Sequence, residues 1–572
     1  MNKNWKILQP DINSVKKIRD ILNCSPVVAA ILANRNMLSE SDILRFRNAS
    51  LSNLRPPFSM KDMDVAVRRI YAAIKNNEKI LIFGDYDADG VTATTVLLEF
   101  LRYTGADVSF YIPHRIKEGY SLQSGHISDY AVPNKIKLII TVDCGSKSHE
   151  AVKLAQDSGT DVIITDHHNI SDGPPGAIAI VNPKRPDCDA GFNNLAGVGV
   201  AFFLLVCLRK YLREMNFWQN RSEPNLKNFC DLVAIGTVAD VVPLVDENRI
   251  LSKTGLEVIS SGRRPGVNAL IKACGISNNV VRTEDIAFRL GPRLNAAGRM
   301  GHAKTAVRLL TTDDAETAKQ IARTLNQMNQ KRQEIEKDMV EEILEYLKEY
   351  PHLLRQHSLV LSHPGWHEGV LGIVASKIVE RYYRPVILIS TRNGLGKGSG
   401  RSIPGIDLHA GLVACSDDLQ FFGGHSMAAG LTIKADNVSQ FQEHFETAVR
   451  EASEPGDFLQ TISIDYELDF DNISDELIDE LESLAPYGEG NPEPLFIARN
   501  ISVASSKIVG ENHRRMTLRQ QVSGRSTKAI NAIHFNIDTD KGLRQHFDQM
   551  AFRLGWNRWN GRKTAQLIVE EI

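Results

Sequence analysis

The sequence predicts an α/β protein built in several domains: a parallel-sheet domain, a long connecting helix, a second and smaller α/β domain, and a small C-terminal β-barrel or sandwich. Three observations predict it. From Ile80 to about Leu256, short apolar strands alternate with helical stretches, the pattern of a parallel sheet with crossover helices. From Asp313 to Tyr350 the chain is polar and free of Gly and Pro, with Ile321, Leu325, Met328, Ile335, Met339, Ile343 and Leu347 at 3- and 4-residue offsets or their multiples. That is one long helix, ended by Pro351. From about Gly456 the pattern changes to short alternating segments such as Thr461-Ile462-Ser463-Ile464-Asp465-Tyr466, with Gly- and Pro-rich turns such as Pro486-Tyr487-Gly488-Glu489-Gly490-Asn491-Pro492.

Size and composition agree. The chain has 572 residues, too many for one hydrophobic core, with 42% hydrophobic and 24% charged residues. A net charge of -2 gives no global basicity, so any nucleic-acid surface must be local. Seven scattered cysteines without a Cys-x-x-Cys pair argue against zinc fingers and disulfide frameworks and suit a reducing cytoplasm. The N-terminus lacks the apolar core of a signal peptide. The most hydrophobic run, Leu195 to Leu208, is too short to cross a bilayer and reads as a buried helix.

In chain order, residues 1–75 form a helical segment interrupted by Pro56-Pro57, without visible chemistry. Residues 76–312 form the parallel-sheet domain, with strands expected at Ile80–Phe83, Val108–Ile112, Leu138–Val142, Val162–Thr165 and Ala177–Val181. Residues 313–350 are the connecting helix, a strut between domains, with a coiled-coil dimer as the alternative. Residues 351–455 form the second α/β unit, which contains the Gly/Ser-rich stretch Gly394 to Ser402. Read as a loop, that stretch could cradle an anion with its backbone N–H groups, Ser399 and Arg401. Residues 456–572 form the barrel. Its basic clusters, Arg514, Arg515 and Arg519, then Trp556, Arg558 and Trp559, fit a groove for single-stranded nucleic acid. The alternative is a strand whose tryptophans face the core and whose arginines are solvated.

The chemistry concentrates at strand ends. Ile80 to Phe83 runs into Gly84-Asp85-Tyr86-Asp87-Ala88-Asp89-Gly90, with three aspartates at every second position. In an extended segment alternate residues point the same way, and carboxylates brought that close repel unless a cation neutralises them. Hard divalent ions such as Mg²⁺ or Mn²⁺ prefer such oxygen ligands. A helix-capping turn is the bland alternative. Two further strands end in Asp143 and in Asp166-His167-His168, and in open α/β sheets sites form at the carboxyl ends of the strands.

These segments resemble the DHH phosphoesterase superfamily, whose triplet is Asp166-His167-His168, and within it the bacterial single-strand-specific exonucleases. The resemblance spans nearly the whole chain. It includes Thr141-Val142-Asp143-Cys144-Gly145, Ala234 to Pro243, Gly291-Pro292-Arg293-Leu294-Asn295-Ala296-Ala297-Gly298-Arg299, Trp366 to Ser376 and Gly423-Gly424-His425. It implies a DHHA1-like second domain and an OB-like barrel. Its metal ligands fall on Asp87, Asp89, Asp143 (bridging two ions), His167 and Asp240, with His168 beside the scissile phosphate and Asp85 ligating or orienting. Many members have a ligating His where this chain has Phe83, which implies one weaker site for Mn²⁺ or Mg²⁺. Arg115, Ser399, Arg401, Gly423, Gly424 and His425 would receive the terminal phosphate. Arg299 with Asn295 would steady the nonbridging oxygens.

The implied activity is 5′-to-3′ digestion of single-stranded DNA to 5′-mononucleotides in recombination and repair. A single-strand-binding protein and a helicase are implied partners, and the expected state is a monomer without a membrane segment. Three rivals are a phosphodiesterase for cyclic dinucleotides or very short RNA, a non-catalytic replication scaffold, and a cofactor-binding protein. The barrel argues against the first and the complete ligand set against the second. The absence of a G-x-x-x-x-G-K-[ST] motif argues against ATP use.

Overall fold

The computed structural model describes residues 3–170, 173–276, 280–522, 524–538, 542–559 and 561–572. The chain divides into two compact units. One comprises Pro56–Asp240 and Gly255–Gln460, the other Lys3–Arg55, Val241–Thr254 and Thr461–Ile572.

The first unit holds both α/β domains. Strands β1 (Ile80–Gly84), β2 (Val108–Tyr111), β3 (Leu138–Val142), β4 (Asp161–Thr165) and β5 (Ala179–Val181) form a sheet in the order β2-β1-β3-β4-β5. Every pairing is parallel. The strands β1 and β3 are wholly buried, as continuous apolar runs in a sheet covered on both faces should be. Helix α1 (Ala88–Thr104) follows β1, and α2 (Gly197–Glu214) is the buried helix expected from the most hydrophobic run. Helices α3 (Cys230–Ala239) and α4 (Gly291–Met300) pack beside α1.

Helix α5 (Ala315–Glu349) is the long connector. Its N-terminal half packs on α4 and its neighbours, and its C-terminal Met339, Ile343 and Leu347 join the core of the second domain. Between the halves the buried stripe turns polar. Arg332 donates to Glu336 at 2.6 Å and to Asn329 at 2.9 Å, and Lys377 reaches Glu336 at 2.5 Å. It is a strut joining two cores.

The second domain is a sheet of β6 (Leu359–His363), β7 (Val386–Arg392), β8 (Leu395–Arg401), β9 (Leu419–Gly424) and β10 (Ala428–Lys434), in the order β9-β10-β8-β7-β6. Only β6 and β7 are parallel. Helix α6 (Leu371–Tyr382) covers one face. The Gly/Ser-rich stretch is therefore a central strand and not a phosphate loop. Its glycines serve packing. A Cβ on Gly396, Gly398 or Gly400 would lie 2.7–2.9 Å from Ile389, Ile433, Leu431 or Leu408. Strand alternation then directs Lys397, Ser399 and Arg401 to the opposite face.

In the second unit, β11 (Phe496–Val509), β12 (His513–Val522), β13 (Ile530–His534), β14 (His546–Trp559) and β15 (Arg562–Glu571) close into a five-stranded barrel in the cyclic order β11-β12-β13-β15-β14. Three N-terminal helices, Ile12–Leu22, Pro26–Asn34 and Glu40–Arg47, share its core, with Ile18, Ile31 and Ile43 in one cluster with Phe496 and Phe552. The N-terminal stretch is not wholly helical. Asn4–Ile7 is a strand paired in parallel with Thr461–Ile464. Helix α7 (Asp475–Ser483) lies against β14.

Candidate metal centre and its cationic flanks

Five acidic side chains and two imidazoles converge at the carboxyl ends of β1, β3 and β4. Helix α1 begins at Ala88, so the three aspartates do not alternate along an extended segment as expected. Asp87 is the helix N-cap, its Oδ1 accepting from the N–H groups of Asp89 and Gly90 at 3.0 Å each. Asp89 sits in the first turn, turned toward the start of α2, where it accepts from Gly197 at 2.6 Å and Val198 at 2.9 Å. That helix terminus favours a carboxylate through its free N–H groups and its dipole. The result is three overlapping groups among the described residues: Asp85 with Asp87 and Asp143, Asp89 with His167 and Asp240, and Asp143 with His167 and His168.

Asp143 joins them. It follows β3 with a positive φ of 61°, and its Oδ1 lies 3.1 Å from His167 Nε2. His167 Nε2 is in turn 3.8 Å from Asp89 Oδ2 and 3.6 Å from Asp240 Oδ2. Asp85 Oδ1, Asp143 Oδ1 and His167 Nε2 are buried without a hydrogen-bond partner. Buried carboxylate oxygens left unpaired are costly, and a divalent cation satisfies them. The donor set therefore fits Mn²⁺ or Mg²⁺. Phe83 contributes nothing to it, because its ring is buried and stacked on Tyr111 at 5.7 Å.

Protonation follows from this crowding. Burial and then the neighbouring carboxylates push Asp85, Asp143 and Asp240 well above the usual range, and Asp89 to about 7. Burial pulls His167 down to about 3, so its imidazole is neutral and can donate a lone pair. His168 moves the other way. Burial lowers it, but Asp166 more than compensates and raises it to about 9. Asp166, to which the sequence assigns no role of its own, is an anchor. Its Oδ1 accepts from the backbone of His167 at 2.7 Å and from His168 Nδ1 at 2.8 Å, and its Oδ2 from Ser146 at 3.0 Å. A second anchor had no sequence signal, since Asn-Pro after a strand reads as a turn. Asn182 donates to the His168 carbonyl at 2.8 Å and to Ser146 Oγ at 2.9 Å.

Cations flank the acidic cluster. Arg115 lies over the Tyr86 ring at 4.8 Å. Burial and then the charges of Arg115, Arg332 and Arg401 pull Arg299 down to about 9. Arg299 also donates to the Gly369 carbonyl at 3.2 Å, and Arg401 to Ser399 Oγ at 3.3 Å. Half-buried cations that repel one another in this way make a site for an anion. Gly423 and Gly424 end β9, and His425 is depressed by burial and by Lys147, His168 and Lys184, so it shares the field of the cluster. Asn295 lies at the start of α1. Its Oδ1 accepts from the Ala88 N–H at 2.7 Å, holding the start of α1.

On the barrel, the expected nucleic-acid residues separate into two sets. Arg515 and Arg519 are exposed on β12, with Lys507 directly across from Arg515, and none of the three has a carboxylate partner among the described residues. Arg514 is buried and bonded to Ser506 Oγ at 3.2 Å. Trp556 and Arg558 are engaged by α7. Trp556 Nε1 donates to Asp479 at 2.7 Å, and Arg558 grips both oxygens of Glu482 at 2.6 Å. The side chain of Trp559 lies outside the described residues.

Comparison with known proteins matches three family models: the DHH family N-terminal domain over residues 79–237, the DHHA1 domain over 356–451 and the RecJ OB domain over 464–571. Among curated relatives, the single-stranded-DNA-specific exonuclease RecJ of Bacillus subtilis is 38% identical over 571 residues, covering 99% of this chain and 70% of its own. That of Escherichia coli is 36% identical over 563 residues, covering 96% of each. The crystal structure of RecJ with Mn²⁺ from Thermus thermophilus superposes with a TM-score of 0.83 at 30% identity, covering 99% of this chain and 79% of that one. Its Mg²⁺ complex gives 0.77 at 29% identity, covering 99% and 78%.

Proposed function

This chain belongs to the RecJ family of single-stranded-DNA-specific exonucleases, and we propose that it removes nucleotides from the 5′ end of a single DNA strand by two-metal phosphodiester hydrolysis. The observation that carries the proposal is the set of ligand groups around Asp143, in which Asp85 Oδ1, Asp143 Oδ1 and His167 Nε2 are buried without a hydrogen-bond partner. Asp85, Asp87 and Asp143 would hold one ion, and Asp89, His167 and Asp240 the other. When bound, two divalent ions held there would supply charge neutralisation at phosphorus and a water of lowered pKa.

The chain's own groups do the rest. His168, held protonated by Asp166, stabilises or protonates the departing oxygen. Arg299 steadies the nonbridging oxygens. Arg115, Ser399, Arg401, Gly423, Gly424 and His425 receive the terminal phosphate, which sets how far the strand enters. Lys507, Arg515 and Arg519 supply the exposed cationic face of the barrel, where phosphates would displace counterions. By family, the reaction serves recombination and repair. A single-strand-binding protein and a strand-supplying helicase are the proposed partners of a cytoplasmic monomer. Among the described residues, no helix is long and apolar enough to cross a membrane.

The test is degradation of one oligonucleotide labelled at either end, with Mn²⁺ or Mg²⁺. A 5′ label should appear first as mononucleotide, while a 3′ label stays on progressively shorter strands. The opposite order, or cleavage of a duplex at an equal rate, contradicts the reading.

A further inference from the structure

Tyr120 lies beside the metal centre without belonging to it, and its backbone is contorted to put it there. It stands between two left-handed residues, Gly119 at φ 83° and Ser121 at φ 71°. For a serine that conformation is strained and persists only where the surroundings enforce it. The enforcing contacts are present. Ser121 Oγ is 2.9 Å from Ser148 Oγ and accepts from the Gly145 N–H at 3.1 Å. Gln123 Nε2 donates to the Tyr120 carbonyl at 3.4 Å and to that of Glu118 at 3.1 Å.

The side chain this turn delivers is not a core residue, because 42% of it is exposed. Its ring stands edge-on to His168 at 5.8 Å and to Tyr86 at 6.4 Å. Its hydroxyl reaches two groups of the site. It donates to the Asp143 carbonyl at 3.3 Å and lies 3.2 Å from His168 Nδ1. With its one proton given to Asp143, the hydroxyl can accept from Nδ1–H, which is already directed at Asp166. One nitrogen thus has two acceptors, and they fix the imidazole plane against the residue that carries the bridging carboxylate.

We propose that Tyr120 is a positioning residue for His168, its hydroxyl setting the angle at which the imidazole meets the departing oxygen. The proposal rests on the role given to His168 above. A ring tilted away from the productive angle loses rate without losing strand affinity, since a misplacement of about 1 Å can cost about 100-fold.

The experiment compares steady-state kinetics of wild type, Tyr120→Phe, His168→Ala and the double variant on one single-stranded oligonucleotide. Tyr120→Phe keeps the ring and removes only the hydroxyl. It should lower kcat between about 10-fold and 100-fold with KM unchanged. In the His168→Ala background the same substitution should cause no further loss, because the group it acts through is gone. Full turnover by Tyr120→Phe overturns the proposal. So does a raised KM with intact kcat, which would make the ring a base-stacking platform, or an undiminished loss in the double variant. Wild-type turnover by His168→Ala would overturn the role of His168 itself and this link with it. Loss in His168→Ala with none in Tyr120→Phe overturns the link alone.

Discussion

Gly197 packs directly against Asp143: a Cβ built on the glycine would lie 2.7 Å from the Cβ of the aspartate and 2.8 Å from its Oδ1. The same glycine gives its N–H to Asp89. The start of α2 can therefore approach both acidic groups so closely because its first residue has no side chain. Gly197→Ala should leave the fold intact, displace Asp143, and lower turnover about 100-fold. Single-strand hydrolysis beside a thermal melt checks it. Unaltered turnover would mean that the position of Asp143 is not critical.

The raised carboxylates make a pH prediction of definite sign. Asp89 titrates near 7 in the folded protein, through burial and the charge of Asp87, against about 3.9 in an unfolded chain. The stability this group contributes is therefore present below its unfolded pKa and lost as pH rises through the folded value, and Asp85, Asp143 and Asp240 act in the same direction. Metal-free protein should melt lower at about pH 8 than at about pH 5.5. Mn²⁺ binds the deprotonated ligands and should raise the Tm more at the higher pH. Equal Mn²⁺-induced shifts at both pH values would contradict the assignment of these carboxylates as ligands.

Arg249 tests what holds the second unit together. The residue is 2% exposed, and its guanidinium donates to the carbonyls of Phe46, Leu484, Ala485 and Pro486 and lies 3.7 Å over the Phe46 ring. Arg249→Met removes every donor and leaves buried carbonyls unsatisfied. It should cost about 3 kcal/mol, read as a lower urea midpoint for the barrel unit. An unchanged midpoint would show that water replaces the guanidinium at no cost.

The barrel's cations should behave unequally. Arg515 and Arg519 are exposed and without carboxylate partners among the described residues, whereas Arg558 is neutralised by Glu482. Replacing Arg515 or Arg519 with Ala should reduce the slope of log affinity against log salt by about 0.7 for single-stranded DNA. Arg558→Ala should change it little. A larger effect at Arg558 would place the strand against α7 instead.

Much of this was legible in the sequence. The apolar runs of β1, β3 and β4 and the polar groups that close them located the site, because strand length and a change of polarity are local signals. The arrangement within Asp85–Asp89 was not legible, since it depends on the helix starting at Ala88 and on Gly197, more than a hundred residues away. The strand Leu395–Arg401 looks like a loop in sequence, because alternating glycines resemble a turn until the large residues filling their places, Ile389 and Leu431, are known. The capture of Arg558 by Glu482 and the pairing of Asn4–Ile7 with Thr461–Ile464 are long-range and leave no mark in either segment alone.

The most direct test is Asp143→Ala, assayed for strand binding and cleavage in the same preparation with Mn²⁺. The purified variant should bind a single-stranded oligonucleotide measurably and release no mononucleotide. Cleavage at the wild-type rate would contradict a shared carboxylate between two ions, and with it the mechanism.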